Sequence, residues 1–202
     1  MGPTPMEIGG YVLAGGRSTR MGRDKALLQL GGQSLIEIAV GKLRRVYGEV
    51  RILAGAKGGG GGLGAYGPVL FDRHTGCGPI GGIEAALTES RFDWNLIVPV
   101  DMPLLPAEFL GEWVREVVGR SGARVAMFEV GGRRRAMPLM IHRDAGVSIS
   151  SAIERGEYAL LGAVEGAAEE LGGEVFVMSA GEWEEWFTNV NTPEEWAAAE
   201  GM

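Results

Sequence analysis

Short apolar runs alternate along the sequence with amphipathic stretches, and this pattern predicts alternating strands and helices. The first run, residues 11–14, stops at Gly15 and Gly16. An apolar run that ends abruptly at turn residues is typical of a strand buried on both faces. Runs of the same kind cover residues 50–54, 69–71, 94–100, 123–129, 138–142 and 174–178.

Helical periodicity fills most of the gaps between these runs. Apolar residues recur at helical spacing from Leu35 to Val46, and Ser34 with Glu37 forms a capping box at the start. A second capping box is predicted at residues 192–195. Other helices are predicted after residue 78, over 106–118, around 149–153 and over 158–164. The alternation of strands and helices predicts an α/β fold with a mostly parallel central sheet.

Composition and charge narrow the class of protein. The 202 residues are 46% hydrophobic and 22% charged, which is ordinary for a soluble domain, and we expect one domain over residues 1–202. No signal peptide or membrane span is visible, so we expect a cytoplasmic protein without a membrane partner. A net charge of −7 argues against nucleic acid as a partner. One cysteine and two histidines offer little for a zinc site or a Ser-His-Asp triad.

A basic, glycine-containing segment follows the first strand. Four cations lie within residues 17–25, against the single anion Asp24. Glycines allow backbone N–H groups to approach a ligand closely, and the cations would neutralise a polyphosphate. The glycine spacing fits neither the dinucleotide fingerprint nor the Walker P-loop. The segment therefore predicts a nucleoside triphosphate site of another kind, although a solvated basic loop is the alternative.

Two aspartates directly follow predicted strands. Asp72 follows the strand at 69–71, and Asp101 follows the strand at 94–100. Open α/β sheets bind ligands at the carboxyl ends of their strands. Mg²⁺ prefers oxygen ligands, and one or two carboxylates with phosphate oxygens suffice to hold it. Asp101 is the predicted Mg²⁺ ligand, and the alternative is an aspartate that caps the turn after the strand.

Four segments in order resemble the MobA family of molybdenum cofactor guanylyltransferases. They are L-A-G-G-R-S-T-R-M-G-R-D-K at 13–25, G-P-I-G-G at 78–82 after Asp72, V-P-V-D-M-P at 98–103 and N-V-N-T-P-E-E at 189–195. The first is shared by many nucleotidyltransferases, whereas the last is more particular to MobA-like proteins. The resemblance extends over almost the whole chain. It implies a three-layer, Rossmann-like fold of the GT-A-like nucleotidyltransferase type, with a single nucleotidyltransferase domain.

The resemblance also implies a reaction. A phosphate of the molybdopterin substrate would attack the α-phosphorus of GTP, giving the guanine dinucleotide cofactor and pyrophosphate. Leu13, Ala14 and Gly15 would hold the guanine nucleotide through backbone contacts, and Gly16 would shape the turn. Asp72 would contact the nucleotide.

The remaining implied roles concern phosphates, metal and acceptor. Arg20 and Lys25 would bind the phosphates and act in catalysis, and Asp101 would carry Mg²⁺. Asn189 and Asn191 would line the active site near the metal or the pterin. Other proteins of the same biosynthetic pathway are expected as partners, although no residue identifies them.

The sequence departs from the family at two places and leaves alternatives open. Ala54 stands where the family commonly has an asparagine-containing stretch, and Tyr158 and Ala159 stand where it tends to have paired arginines. Arg133 to Arg135 could grip the substrate phosphate or form a solvated hairpin tip. The alternative functions are a nucleotidyltransferase that uses CTP or a sugar-phosphate acceptor, and a non-catalytic nucleotide-binding regulatory module. The glycine run at 58–62 is expected to be a mobile loop.

Overall fold

The computed structural model describes residues 8–15, 25–46, 48–57, 61–190 and 195. Within these residues, strands and helices alternate as the periodicity predicts. The strands are β1 (Ile8–Leu13), β2 (Gln29–Leu30), β3 (Gln33–Ser34), β4 (Val50–Leu53), β5 (Val69–Leu70), β6 (Trp94–Pro99), β7 (Ala123–Val130), β8 (Arg133–His142) and β9 (Glu174–Ser179). The α-helices are α1 (Leu35–Val46), α2 (Pro79–Glu89), α3 (Ala107–Val118), α4 (Gly146–Glu154) and α5 (Leu160–Glu170). Short 3-10 helices lie at Lys25–Leu27, Leu63–Ala65, Arg143–Ala145 and Gly181–Phe187.

The central sheet of the described residues has seven strands in the order β5-β4-β1-β6-β8-β7-β9. β1 pairs in parallel with both β4 and β6, and β4 pairs in parallel with β5. β8 is antiparallel to both of its neighbours, β6 and β7, and β7 is parallel to β9. One reversed strand in an otherwise parallel sheet confirms the mostly parallel α/β fold.

Both faces of the sheet are buried under helices, which gives three layers. α1 and α3 pack on one face, where Val12 and Val98 contribute to the core. α2, α4 and α5 pack on the other face with Tyr11 and Ile97. Neighbouring strand residues thus point to opposite cores, as the strand repeat of two requires. Burial on both faces explains why the central strands are continuous apolar runs.

Capping at the first helix agrees with the sequence prediction. The Ser34 N–H and hydroxyl each donate to Glu37 Oε2 at 2.7 Å, and the Glu37 N–H donates to Ser34 Oγ at 3.4 Å. This reciprocal arrangement is a capping box, and it confirms the predicted start of α1. The second predicted box, at residues 192–195, lies outside the described residues except for Glu195.

Two predicted strand boundaries are wrong. β1 begins at Ile8 instead of residue 11, because Gly9 and Gly10 lie inside the strand. A Cβ on Gly9 would lie 2.6 Å from Asn95 Oδ1, so the absent side chain leaves room for a buried asparagine on β6. β8 begins at Arg133 instead of residue 138, so the three arginines belong to the strand.

The aromatic cluster at residues 183–187 is a packing feature. Trp183 and Trp186 stack with ring centroids 5.7 Å apart, and Phe109 of α3 contacts both rings edge-on. Phe187 packs against Phe128 of β7 at 4.7 Å. The 3-10 helix that carries these rings is therefore fixed to the α3 side of the sheet. In the glycine-rich segment, Leu63 is fully buried, whereas residues 58–60 lie outside the described part of the chain.

Candidate active site

The carboxyl ends of β4, β1 and β6 meet at one edge of the sheet. The N–H groups of Ala14 and Gly15 both donate to Leu53 O, at 2.9 and 2.8 Å. On the other side of β1, Val100 N–H donates to Leu13 O at 3.0 Å. The backbone at the end of β1 is therefore held by hydrogen bonds on both sides, which fixes its position at this edge of the sheet.

Close backbone contact makes glycine necessary at position 15. A Cβ on Gly15 would lie 2.5 Å from Gly55 N and 2.9 Å from the carbonyl carbon of Ala54. Real Cβ atoms do not approach backbone this closely, so any side chain would force the two segments apart. Gly15 therefore holds together the segments that follow β1 and β4.

Lys25 and Asp101 form an ion pair at this edge. Lys25 Nζ lies 2.8 Å from Asp101 Oδ2, and the side chains are 15% and 21% exposed. Lys25 begins a 3-10 turn whose next residue, Ala26, is buried in the core. The structure thus brings together two predicted site residues that are 76 positions apart in the sequence. Partial burial makes the attraction stronger than that of an exposed surface pair.

Asp72 lies at the same edge, against the first turn of α2. Its N–H donates to Gly55 O at 2.8 Å. A Cβ on Gly81 would lie 3.0 Å from Asp72 Oδ2, so this glycine allows the carboxylate to pack against the helix backbone. Burial, and to a smaller extent the charge of Glu84, raises the pKa of Asp72 above its usual range. Asp72 and Asp101 approach the edge from opposite ends of the β5-β4-β1-β6 segment.

Asn189 reaches the site from the carboxyl-terminal part of the chain. The N–H of the next residue, Val190, donates to Asp101 O at 2.9 Å, which places this segment beside the aspartate. The Oδ1 atom of Asn189 is buried and accepts no hydrogen bond from the described residues. A buried amide oxygen without a donor is costly unless a ligand or ion contacts it. Gly16, Arg20 and Asn191, the other predicted site residues, lie outside the described residues.

Lys42 supports the Asp101 end of the site, and sequence reasoning missed it. Its Nζ donates from α1 to Pro103 O, two residues after Asp101. Burial, with a smaller effect of Arg45, lowers the pKa of Lys42 to about 8. The available signal was its position seven residues after Leu35, on the face of α1 that the apolar stripe buries.

Glu84 supports the Asp72 end, and sequence reasoning missed it too. The side chain is buried on α2, where Oε1 accepts from Arg73 Nη1 at 3.1 Å and from Ser150 Oγ at 3.2 Å. Its Oε2 atom has no hydrogen-bond partner among the described residues. Arg73, which follows Asp72, also donates to Thr88 Oγ1 at 3.3 Å. The signal was a single charge inside the apolar run I-G-G-I-E-A-A-L of α2.

Two negative findings apply to the described part of the chain. No group of three or more His, Cys, Asp or Glu side chains there could hold a metal ion by itself. None of its helices combines the length and the apolar character that a membrane crossing needs.

Comparisons with known proteins agree with the geometry. Residues 10–170 match the family model of the MobA-like NTP transferase domain. A molybdenum cofactor guanylyltransferase of Xanthomonas euvesicatoria is 32% identical over 189 residues, which cover 93% of this chain and 92% of the relative. Two solved structures are also similar to the chain, and since each is less than 25% identical to it, they bear on the fold alone.

The molybdopterin-guanine dinucleotide biosynthesis protein A of Archaeoglobus fulgidus superposes with a TM-score of 0.76 at 23% identity and covers 96% of this chain and 97% of its own. The 4-diphosphocytidyl-2C-methyl-D-erythritol synthase of Anaerococcus prevotii reaches a TM-score of 0.72 at 11% identity, with 98% of both chains covered. Since the names of these two proteins refer to different nucleotides, the fold alone does not select the base.

Proposed function

The chain belongs to the MobA-like NTP transferase family and is a nucleotidyltransferase, and on that premise we propose that it transfers GMP from GTP to the phosphate of molybdopterin. The products are pyrophosphate and the guanine dinucleotide form of the molybdenum cofactor. The observation that carries the proposal is the Lys25–Asp101 ion pair at the carboxyl edge of the parallel strands. The reaction takes place within one domain, in the cytoplasm, and other proteins of the pathway deliver the acceptor.

The reaction needs alignment and charge stabilisation more than covalent help from the protein. A phosphate oxygen of the acceptor attacks the α-phosphorus of GTP. The bond from that phosphorus to the bridging oxygen breaks, and pyrophosphate leaves with the electron pair. Lys25 stabilises the negative charge that builds up, since its ammonium group is held at the edge by Asp101. Arg20, by family resemblance, shares the binding of the phosphates with Lys25.

The described residues fit a divalent cation next to Asp101. A carboxylate is an oxygen donor of the kind that Mg²⁺ prefers, and so is the Oδ1 of Asn189, which is buried and has no hydrogen-bond partner among the described residues. A single carboxylate suffices where phosphate oxygens and water complete the coordination shell. Asp101 would hold the ion, Asn189 and Asn191 would line its acceptor side, and the ion would neutralise charge on the triphosphate.

Base recognition uses backbone groups and Asp72. Because the N–H groups of Ala14 and Gly15 already donate to Leu53 O, contacts of these residues with a base use their carbonyl oxygens. Guanine offers N–H donors on its base-pairing edge, which match such acceptors. Ala54 is buried in the core and its methyl group carries no hydrogen-bonding atom, so selection of guanine cannot depend on a side chain there. By family resemblance, Leu13 would also hold the guanine nucleotide through its backbone, and Gly16 would shape the turn.

The test is pyrophosphate release with Mg²⁺, molybdopterin and each of the four nucleoside triphosphates. We expect turnover with GTP alone. Turnover with CTP, or with all four, would contradict the assignment of the base and favour the related transferase. Measurable nucleotide binding without any turnover would contradict catalysis on this acceptor. A sugar-phosphate acceptor, tested in parallel, then separates another transferase from a regulatory module.

A further inference from the structure

The β7–β8 hairpin carries arginines to the same edge of the sheet as Asp101. The last register pair between β6 and β8 is Ile97 with Leu139. Asp101 lies four residues after Ile97, and Arg135 lies four residues before Leu139, on a strand that runs the opposite way. Both residues therefore extend beyond the paired region in the same direction, although a register shift between β7 and β8 makes Arg135 extend less far than four regular strand residues would. The arginines belong to the surroundings of the site and not to the far end of the molecule.

The three arginines have different electrostatic surroundings. Arg134 lies opposite Glu129 in the register and forms an ion pair with Glu165 of α5, with Nη1 2.6 Å from Oε1. Arg133 and Arg135 lie opposite Val130 and Phe128, which carry no charge. Among the described residues, neither of these two arginines has an ion-pair partner.

Strand alternation separates the arginines by face. Arg134 points to the α5 side, as its ion pair with Glu165 requires. Arg133 and Arg135 therefore lie on the opposite side, where Phe128 packs against Trp113 of α3 with ring centroids 4.4 Å apart. This is the side that holds α1 and the 3-10 helix Gly181–Phe187.

The chain itself links the hairpin tip to Asp101 on that side. Gly131 N–H, at the turn, donates to Glu184 Oε1 at 2.7 Å. Six residues later, Val190 N–H donates to Asp101 O at 2.9 Å. Gly131 and Gly132 have φ angles of 58° and 70°, which suit a tight two-residue hairpin turn. The hairpin is thus held by fixed contacts, and Arg133 and Arg135 extend from a preorganised support.

We propose that Arg133 and Arg135 bind the phosphate of the acceptor, while Arg134 serves only the ion pair with α5. The inference rests on the proposed function, since it assumes that the acceptor is an anion that reacts beside Lys25 and Asp101. In a chain with a net charge of −7, two cations that have no carboxylate partner in the described part of the chain form a local site for an anion. Arginine donates two parallel hydrogen bonds to a phosphate, so this residue type suits the ligand.

The test compares Arg133→Ala, Arg135→Ala and the double variant with Arg134→Ala as the matched control. Steady-state turnover gives KM for molybdopterin and for GTP separately. We expect KM for molybdopterin to rise about tenfold in each single variant, as the loss of a charge-assisted hydrogen bond implies, with KM for GTP unchanged. Arg134→Ala should leave both KM values close to wild type, and Arg135→Lys should restore part of the loss.

Equal changes in all three single variants would overturn the inference, because they would reflect general electrostatics. A rise in KM for GTP alone would overturn it too, since the arginines would then serve the nucleotide. Equilibrium binding of molybdopterin, measured without nucleotide, separates this inference from the proposed function. If the wild type binds molybdopterin and turns nothing over, the function fails, and a loss of binding in the double variant still supports the arginine site. Absence of molybdopterin binding by the wild type overturns the inference.

Discussion

The two carboxylates of the site lie at opposite ends of one sheet edge and in opposite electrostatic surroundings. Asp101 has an ammonium group 2.8 Å from Oδ2, and a second partly buried lysine, Lys42, anchors its loop. Asp72 packs against the glycines of α2, and the charge that affects it is the carboxylate of Glu84. At the Asp101 end an ammonium group pairs with the carboxylate, whereas at the Asp72 end burial and a neighbouring carboxylate make the ionised form costly.

This difference suggests that the two ends of the edge bind different parts of the substrate. Neutralised negative charge and available oxygen atoms suit phosphates and a cation, which we assign to the Asp101 end. At the Asp72 end, a partly buried carboxylate gains by accepting hydrogen bonds from a ligand. Ribose hydroxyl groups and base N–H groups are donors of that kind. Substitutions at the two ends should therefore affect different measurements.

The largest effect is expected at the Asp101 end. Asp101→Asn keeps the size of the side chain and removes its charge, and we expect kcat to fall by about 10²- to 10³-fold. GTP binding should be retained in part, since the Asp72 end is unchanged. Initial rates of pyrophosphate release, together with equilibrium binding of GTP, measure the two effects separately.

Lys25→Met provides the partner for a double-mutant cycle with Asp101→Asn. Because the two side chains act as an ion pair, the combined variant should lose little more than the worse single variant. Fully additive losses in log kcat would contradict a functional pair. If these variants lost GTP binding but kept the kcat of the wild type, the different roles assigned to the two ends of the edge would be contradicted.

The second prediction concerns the backbone that both ends share. Gly15→Ala places a Cβ against Gly55 N, and we expect a loss of about 1–3 kcal/mol in the free energy of unfolding, with weaker GTP binding. Urea denaturation measures the loss. Gly41→Ala in α1 is the control, since nothing lies within 4 Å of its Cβ position and helix propensity should raise stability by about 0.5–1 kcal/mol. Equal stability of the two variants would show that the backbone contact between Gly15 and Gly55 relaxes without a loss of folding free energy.

From the sequence, the strands, helices and caps could be predicted better than the charged residues that support the site. Ser34 and Glu37 act over three residues, so local spacing was enough to place the start of α1. Lys25 and Asp101 were placed at one edge because parallel strands align their carboxyl ends. Lys42 and Glu84 were missed because a single charge inside an apolar stripe gives no indication of a partner in a distant segment. Gly9 and Gly10 resemble strand breakers, and only close tertiary contacts explain them, with Asn95 at Gly9 and Glu49 O at Gly10.

The third prediction tests the loop anchor at the Asp101 end. The pKa of Lys42 is lowered to about 8, whereas the unfolded chain keeps a value near 10.4. The native state therefore binds fewer protons between pH 8 and 10.4, and stability rises with pH across that window. Lys42→Met removes the cost of the buried charge but loses the hydrogen bond to Pro103 O. We expect a net gain on the order of 1 kcal/mol at pH 7 that disappears by about pH 10.

Chemical denaturation at pH 7 and pH 10 measures the effect of Lys42→Met. Lys42→Arg is the control, since it keeps both the charge and a donor and should show no gain at pH 7. Turnover of Lys42→Met should fall by a few-fold, because the loop that carries Asp101 loses its anchor. A gain in stability that is the same at both pH values would contradict titration of Lys42 as the cause.

The smallest effect is expected at the Asp72 end, where a substitution should raise the stability of the protein instead of lowering it. Burial and Glu84 raise the pKa of Asp72, so the ionised form costs stability at neutral pH, and the cost disappears below the unfolded pKa near 3.9. Asp72→Asn should therefore raise Tm at pH 7 by a few degrees at most and leave Tm at pH 4 nearly unchanged, while GTP binding weakens. In a Glu84→Gln background the rise should be smaller, because one of its two causes is gone. An equal rise at both pH values, or none at pH 7, would show that the Asp72 end is not electrostatically strained.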